Sequence, residues 1–479
     1  MRSDVKSLLE QVYAHGPDWF QNLAVSAYGW KIRRERFGPE YARWQLEFTR
    51  NERCSPVELA AMQDALVEAL IAHAYDKVPY YRAILKERKI SPSDVRRVVD
   101  LAKLPILTKD LLRAYFHQLV STEYRPGDLK KGNSSGTTGS PVSVLWDRRV
   151  DVANNAANWR ARGWAGFAFG TPYASLLGRT IVPITRTLPP FWRWNAPWKQ
   201  LLLSSFHLEE RNLPQYLDAM RARRCQFLDA YPSTAYILAR HVVESGKTFP
   251  LRGVVCSSET LLPIQRATIE QAFACRVFDV FSQAERVLFA MECEKHHGLH
   301  VQPEFGVLEI VGDDGEALPE GQFGRIIATG LQNHGMPLIR YEVGDVSAKI
   351  GGACGCGRTL PRMAAVTTKA EDIVVTPEGR FISSSTLTHP FKPMVRIEKS
   401  QIVQETPDRV TVKIVRRPGY TDDDTRQLVA ALGERLGPSV AIEVEFVDDI
   451  PRGPSGKFRW VVSKVALRFA GSEQHNLYE

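Results

Sequence analysis

The chain has 479 residues, 44% hydrophobic and 24% charged, which excludes a disordered chain, a collagen-like fibre and a long coiled coil. Its length exceeds the ~250–300 residues at which a single core stops growing, so two or more domains are expected. Sixty-two basic residues against 54 acidic ones leave +8; the runs, such as Arg33-Arg34-Glu35-Arg36, are short and interrupted, and they read as a solvated basic face rather than a nucleic-acid stripe.

The start, MRSDVKSLLEQV, lacks the apolar core of a signal peptide, and no run of 18 apolar residues occurs. A cytoplasmic protein with no membrane and no nucleic-acid partner is therefore expected. Residues 1–130 read as mostly helical. Ser55-Pro56-Val57-Glu58 is a capping box with proline at the first helical position. It opens an apolar-periodic run through Leu59, Met62, Leu66 and Leu70 that ends near Val78-Pro79. Ser91-Pro92-Ser93-Asp94 starts a shorter helix, which Leu104-Pro105 breaks.

Between 130 and about 290, short apolar runs alternate with helical patterns. The run 251–256, a helix near 263–273 and the run 276–281 form a β-α-β rhythm, which favours a parallel or mixed sheet under helical cover. Pro189 to Trp198 reads as an aromatic loop, a packed one in preference to a lid or an oligomer contact. Trp159, Trp164 and Tyr231 are as consistent with a substrate pocket as with core packing. Residues 306–311 and 324–329 flank turn signals at 312–315 and read as paired strands. A smaller unit begins near 368–372, with strands near 372–375, 409–415 and 441–447. Its helix at about 422–436 starts at Thr421 and three aspartates, which suit the positive end of the helix dipole.

The most informative segment is Ser134-Ser135-Gly136-Thr137-Thr138-Gly139-Ser140-Pro141. Glycines let the backbone approach a ligand closely, and hydroxyls with free N–H groups can wrap phosphate oxygens. No Gly-Lys-Ser/Thr closes it, so it is not a Walker A loop. It resembles the phosphate-binding motif of adenylate-forming enzymes, the acyl-CoA synthetases and adenylation domains. Four further segments resemble that family's motifs in order: Cys256-Ser-Ser-Glu-Thr260, Asp279-Val-Phe-Ser-Gln-Ala-Glu285, Arg340-Tyr-Glu-Val-Gly-Asp345 and Pro451-Arg-Gly-Pro-Ser-Gly-Lys457. Within the superfamily the chain looks most like the phenylacetate–CoA ligase group, and Gln283–Arg286 and Val375–Arg380 resemble its capsular-polysaccharide branch.

The resemblance implies an α/β fold. A large N-terminal domain (1–370, including the helical region 1–130) would have mixed sheets under helical cover and bind ATP and a carboxylic acid. A small mobile α+β domain (371–479) would follow. It implies attack of a carboxylate on the α-phosphate of ATP, release of pyrophosphate, and transfer of the acyl group to CoA. An amine, a sugar or a carrier protein is the alternative acceptor, and a degenerate nucleotide-binding factor is the non-enzymatic rival. Ser134, Ser135, Gly136, Thr137, Thr138 and Gly139 would hold phosphates. Ser258, Glu259, Asp279, Phe281 and Ser282 would frame the adenine, and Asp345 would accept the ribose hydroxyls. Glu285 would ligate Mg²⁺. Lys457 would bring its charge to the carboxylate and α-phosphate, and Lys369 stands where the family's hinge has arginine. Two departures stand out: Phe281 lacks the usual tyrosine hydroxyl, and Ala284 replaces the hydroxyl residue before the glutamate. The acid is expected to be aromatic, and a homodimer is left open.

Seven cysteines, an odd number, do not suit a secreted disulfide framework. Cys293, three histidines and, some 55 residues on, Cys354-Gly-Cys356 can supply four tetrahedral N/S ligands. The preferred set is Cys293, His300, Cys354 and Cys356, with His296 and His297 as rivals and plain reduced thiols as the alternative. Some phenylacetate–CoA ligase relatives look similar here, which implies a structural Zn²⁺.

Overall fold

The structure, a computed structural model, describes residues 12–125, 127–133, 142–312, 314–366, 374–382, 384–391, 393–394, 396–450 and 460–465. It is mixed α/β. Its N-terminal part is helical: α1 (Asp18–Arg36), α2 (Pro39–Asn51), α3 (Pro56–Lys77), α4 (Pro79–Glu87) and the short α5 (Lys109–Ala114). The capping box of α3 forms as its sequence predicts. The Ser55 hydroxyl accepts from the Glu58 amide at 3.3 Å, and the Glu58 carboxylate accepts from the Ser55 amide at 2.7 Å. At 92–94 and 98–103 the chain makes two 3₁₀ turns.

A hairpin follows, β1 (Lys130–Asn133) antiparallel to β2 (Ser143–Trp146), and then α6 (Arg148–Trp164). The main sheet has ten strands. Its middle is parallel: β3 (Tyr173–Leu176), β5 (Gln200–Leu203), β6 (Phe227–Ala230), β7 (Gly253–Ser257) and β8 (Arg276–Ser282), with neighbours in the order β5-β3-β6-β7-β8. Strands buried on both faces carry near-continuous apolar runs, and β6 and most of β7 are buried throughout. Helices α7 (Leu213–Ala222), α8 (Pro232–Glu244) and α9 (Pro263–Phe273) contribute Tyr216, Leu238 and Ile269 to the core against it. Antiparallel strands β9 (Phe289–Glu292), β10 (Leu299–Val301), β15 (Arg362–Met363) and β14 (Lys349–Ile350) extend one side, and β4 (Trp192–Asn195) closes the other.

The expectation of a loop over 189–198 is corrected: Trp192–Asn195 within it is β4, an edge strand. Helix α1 covers it. Asn22 Oδ1 accepts from the Trp194 amide at 2.7 Å, and the Ser26 hydroxyl donates to the Trp194 carbonyl at 3.1 Å. Gly29 permits the close approach, since a Cβ there would lie 2.0 Å from Asn195 Oδ1. Covering an edge in this way blocks sheet-to-sheet association.

Strands β11 (Gly306–Val311), β12 (Gly324–Gly330) and β13 (Tyr341–Ser347) form a separate antiparallel sheet packed on the α3–α4 region. Beyond residue 374, β16 (Val374–Val375) pairs with β17 (Phe381–Ile382), and the short α10 (Ser384–Leu387) follows. Strands β18 (Ile397–Thr406), β19 (Arg409–Arg416), β20 (Ala441–Phe446) and β21 (Val461–Ser463) form a four-stranded sheet behind α11 (Asp422–Leu436). Sequence reading missed β18 and β21. The core here, including Ile402, Val412, Leu428, Leu432 and Trp460, draws only on residues 374–461. Arg380 ties this unit to the preceding body, donating to the Arg435 carbonyl at 3.1 Å, to the Leu436 carbonyl and to the Phe206 carbonyl at 3.4 Å. Among the described residues no helix is long and apolar enough to cross a membrane.

Candidate functional site

Ligands in α/β sheets bind beyond the C-terminal ends of parallel strands, where loops diverge and amides are free. Here β6, β7 and β8 lie side by side, and their C-terminal ends lead into Tyr231, Ser258 and Ser282. One cavity there is lined by Ser258, Glu259, Thr260, Asp279, Phe281, Ser282 and Asp345 among others. Thus three motifs spread over 87 positions meet at one place. Ser258 takes a left-handed φ of 71°, a costly conformation for a residue with a Cβ and one that clusters at functional turns. Glu259 accepts from the Ser233 amide at 3.0 Å, in the first turn of α8, where the helix dipole favours a carboxylate.

Asp279 is half-buried beside Glu292, and desolvation and that neighbouring charge push its carboxyl up to about 7. Glu292 is the better compensated of the two, and its carboxyl is held low despite burial. It takes both Arg266 contacts at 2.8 and 2.9 Å, the Asp279 amide at 2.9 Å and the His296 ring at 3.1 Å. The folded state therefore holds a proton on Asp279 that the unfolded chain has released. Stability falls as pH rises from about 4 toward 7 and then levels. Asp279→Asn lacks this term, so the variant should gain on the wild type across that window, by at most about 1.4 kcal/mol per pH unit. Urea melts at pH 5 and pH 8 check it; a constant difference between the two proteins would refute it.

Glu285 is buried, and the Tyr341 hydroxyl donates to its Oε1 at 2.8 Å. Tyr341 and Asp345 are both buried residues of β13. This places Glu285 beside the strand that carries Asp345. A buried carboxylate is a hard oxygen donor of the kind Mg²⁺ selects. Ser134 to Gly139, Lys369 and Lys457 lie outside the described residues.

Sequence reasoning missed the neighbour of Glu285. Arg286 has φ 56°; its guanidinium lies 3.9 Å over the Trp146 ring and donates to Asp151 Oδ1 at 2.7 Å. Arg36 and Lys130 reach the same carboxylate at 3.2 and 3.0 Å, and these cations hold Asp151 well below the usual range. The Trp146 indole lies across Gly132, where a Cβ would sit 2.1 Å from the ring. Gly132 and Trp146 belong to β1 and β2, so the hairpin is fastened to the Glu285 turn. An arginine directly after the motif glutamate was the available signal.

Trp159 and Trp164 do not line the nucleotide cavity. Trp159 packs in an aromatic cluster with Phe167, Phe169 and Trp198, and the Trp164 indole donates to Glu52 at 2.7 Å. Core packing is the reading that holds for both. Tyr231 precedes α8 at the end of β6 and is buried.

A second centre lies on the far side of β8. Cys293 follows β9, His300 is on β10, and Cys354 and Cys356 flank the turn before β15. Their ligand atoms all lie within 4.8 Å of one another. Cys293 Sγ is 3.7 Å from Cys354 Sγ, and Cys356 Sγ is 3.5 Å from His300 Nε2. A tetrahedron with bonds of ~2.3 Å to sulfur and ~2.0 Å to nitrogen has edges of about 3.5–3.8 Å, so the donor set fits zinc. Amides of Lys295 and Arg358 donate to Cys293 and Cys356 Sγ, each at 3.4 Å, which stabilises thiolates. Burial pushes His300 down to about 4, so its imidazole is neutral, and Nδ1 donates to the Leu360 carbonyl at 3.3 Å, leaving Nε2 as the donor to a metal. The rivals are elsewhere: His296 is engaged by Glu292, and His297 is exposed.

The ten-stranded sheet, the β13 cavity and the separate C-terminal sheet define the adenylate-forming fold. A solved 2-hydroxyisobutyryl-CoA ligase in complex with 2-HIB-AMP and CoA matches 87% of this chain and 92% of its own, at TM-score 0.56 and 19% identity. In sequence and fold the chain is similar to the adenylate-forming proteins of the phenylacetate–CoA ligase-like group and its CapK branch. Residues 374–464 match the family described as CapK C-terminal domain. Protein CapK of Staphylococcus aureus is 25% identical over 464 residues, covering 96% of this chain and 100% of that protein. Phenylacetate-coenzyme A ligase of Thermus thermophilus is 27% identical over 343 residues, covering 66% and 72%.

Proposed function

We propose that the protein is an AMP-forming acid ligase: it joins a carboxylic acid to ATP, releases pyrophosphate, and passes the acyl group from the adenylate to CoA. The observation that carries this is the convergence of Ser258, Asp279, Phe281 and Asp345 on one cavity, with Glu285 tied to the same strand through Tyr341. Phe281 offers an apolar face for adenine stacking and Asp345 two oxygens for ribose hydroxyls. Glu285 would hold Mg²⁺, which neutralises phosphate charge so that two anions can meet. Lys457, on the C-terminal unit, supplies a cation to the reacting carboxylate and α-phosphate, and reorientation of residues 371–479 about the segment containing Lys369 separates adenylation from thioester formation. The zinc centre, with four protein ligands, is closed and structural.

The substrate is read as an aromatic acid, by similarity to the phenylacetate ligases. Ala284 offers no hydroxyl to the α-phosphate region, which favours one second reading, a nucleotide-binding factor without turnover.

Acid-dependent ATP–pyrophosphate exchange over aromatic and aliphatic acids, without CoA, tests the proposal. Exchange should appear with at least one acid. Lys457→Ala should lower it by roughly 10²-fold, the cost of one lost transition-state contact. Asp345→Ala should act mainly through KM for ATP, by about tenfold, the equivalent of one lost charge-assisted hydrogen bond. Silence across the panel in protein that binds ATP would replace this reading with the non-catalytic one. Exchange without CoA-dependent product would move the acceptor to an amine, a sugar or a carrier protein.

A further inference from the structure

Helix α1 has two faces with different fates. Asn22, Ser26 and Gly29 face β4 and its following turn, and their contacts fix the rotation of the helix. The adjoining, outward face carries Trp19, Leu23, Ala27 and Trp30, spaced by four, four and three residues, which places them in one stripe. Trp19 is 68% exposed, Leu23 61% and Trp30 57%. Six of the thirteen large hydrophobic residues that are exposed among the described ones fall within residues 12–46, so the exposure is concentrated rather than scattered.

The charges on this helix are also one-sided. Its two acids are already neutralised: Asp18 by Arg186 and Arg193 at 2.8 and 2.7 Å, Glu35 by Lys130 at 3.1 Å. Lys31 and Arg34 remain exposed beside the stripe, with the Arg34 guanidinium 5.6 Å from the Trp30 ring. The solvent side of α1 therefore presents indoles, a leucine and cations with no acidic partner among the described residues.

We propose that α1 is a peripheral membrane contact. Trp19, Leu23 and Trp30 seat at headgroup depth in an anionic bilayer, and Lys31 and Arg34 meet the lipid phosphates. Tryptophan favours that depth because its ring is apolar and its N–H is polar, and basic side chains add attraction to anionic lipid. A second protein copy fits less well. The stripe spans ~16 Å of helix and offers on the order of 400 Å² of apolar surface, whereas a stable protein interface needs about 800 Å² per partner. The expectation of no membrane partner rested on the lack of a spanning segment; a surface contact needs only one exposed stripe. None of the residues lining the nucleotide cavity belongs to α1.

Flotation of the purified full chain with vesicles tests the proposal, using phosphatidylcholine alone and a 3:1 mixture with phosphatidylglycerol, at 50 and 500 mM salt. The protein should float with the anionic vesicles at low salt, at least tenfold more than with neutral ones. Trp19→Ser/Leu23→Ser/Trp30→Ser should lose at least tenfold with unchanged circular dichroism and melting. Lys31→Gln/Arg34→Gln, which leaves the apolar stripe intact, should lose most of the salt-sensitive part and tests the idea even if the triple variant misfolds. No flotation of the wild type, or flotation equal in the variants, overturns it. So does a concentration-dependent dimer that the triple variant abolishes without any vesicle binding, which would make a second copy the occupant.

Discussion

Cys354→Ser should abolish stoichiometric zinc binding and lower the melting temperature by several degrees or more. The wild type should carry about one zinc per chain, measured by plasma emission spectrometry and by colorimetric release with a thiol-reactive reagent. Serine keeps the size of cysteine, but its hydroxyl does not deprotonate near neutrality to give the soft anionic ligand the site needs. The loss is large because the four donors come from three separate segments, at 293, 300 and 354–356. Without a metal, closely spaced thiols and an imidazole share a buried space, and burial pushes Cys293 up to about 12. With it, two thiolates brought within 3.7 Å become ligands rather than a repulsive pair. Metal-binding free energy is folding free energy where ligands come together only on folding. The disturbance should also reach the nucleotide cavity. Cys293 follows Glu292, whose carboxylate holds the Asp279 amide at 2.9 Å. Zinc-free wild type, or a variant that retains its zinc, would refute the assignment.

The second large effect is expected at Arg160. Its side chain and that of Glu304 are 1% and 0% exposed, and they form a bidentate pair at 2.9 and 3.0 Å. Arg160 also donates to Gln302 Oε1 at 2.6 Å and to the Phe48 carbonyl, and its guanidinium lies 4.7 Å over the Phe48 ring. One side chain thus joins α6 to α2 and to the turn between β10 and β11. Arg160→Met removes the cation and leaves Glu304 charged in an apolar space. That should cost about 3–5 kcal/mol, the range for breaking a buried pair from one side. Arg160→Met/Glu304→Gln should recover most of the loss, because neutral partners avoid the stranded charge. Urea midpoints at pH 8 for the three proteins form the test. A single variant within 1 kcal/mol of wild type at pH 8 would show that the pair is not coupled to folding.

The legible parts of the sequence were those governed by local rules. The capping box at Ser55, the β-α-β rhythm at 251–281 and the helix at Thr421 each depend on residues within a few positions of one another. All three appear where expected. Strand β18 was missed because its polar residues Lys399, Gln401 and Gln404 obscure the alternation of Ile397, Ile402 and their neighbours. Strand β4 was missed because Pro189, Pro190 and Pro197 read as loop, although its pairing partner is β5 and its cover is α1, 170 residues earlier. Trp159 and Trp164 were ambiguous because an aromatic residue packs equally well in a core or around a ligand, and only contacts separate the two.

By itself, the sequence pointed to the class of chemistry proposed above, because the motifs that resemble the phosphate loop, the ribose contact and the C-terminal lysine are short and occur in the family's order. It also contained the four candidate metal donors, three thiols and an imidazole, since such donors are few and their chemistry is specific. The tertiary structure alone decided which histidine joins the cysteines. It tied Glu285 to Tyr341, set Arg286 against Asp151 and Trp146, and turned Trp19 and Trp30 outward. Each of these depends on distances between segments remote in the chain. Residue type states what a side chain can do, but only packing states what stands beside it.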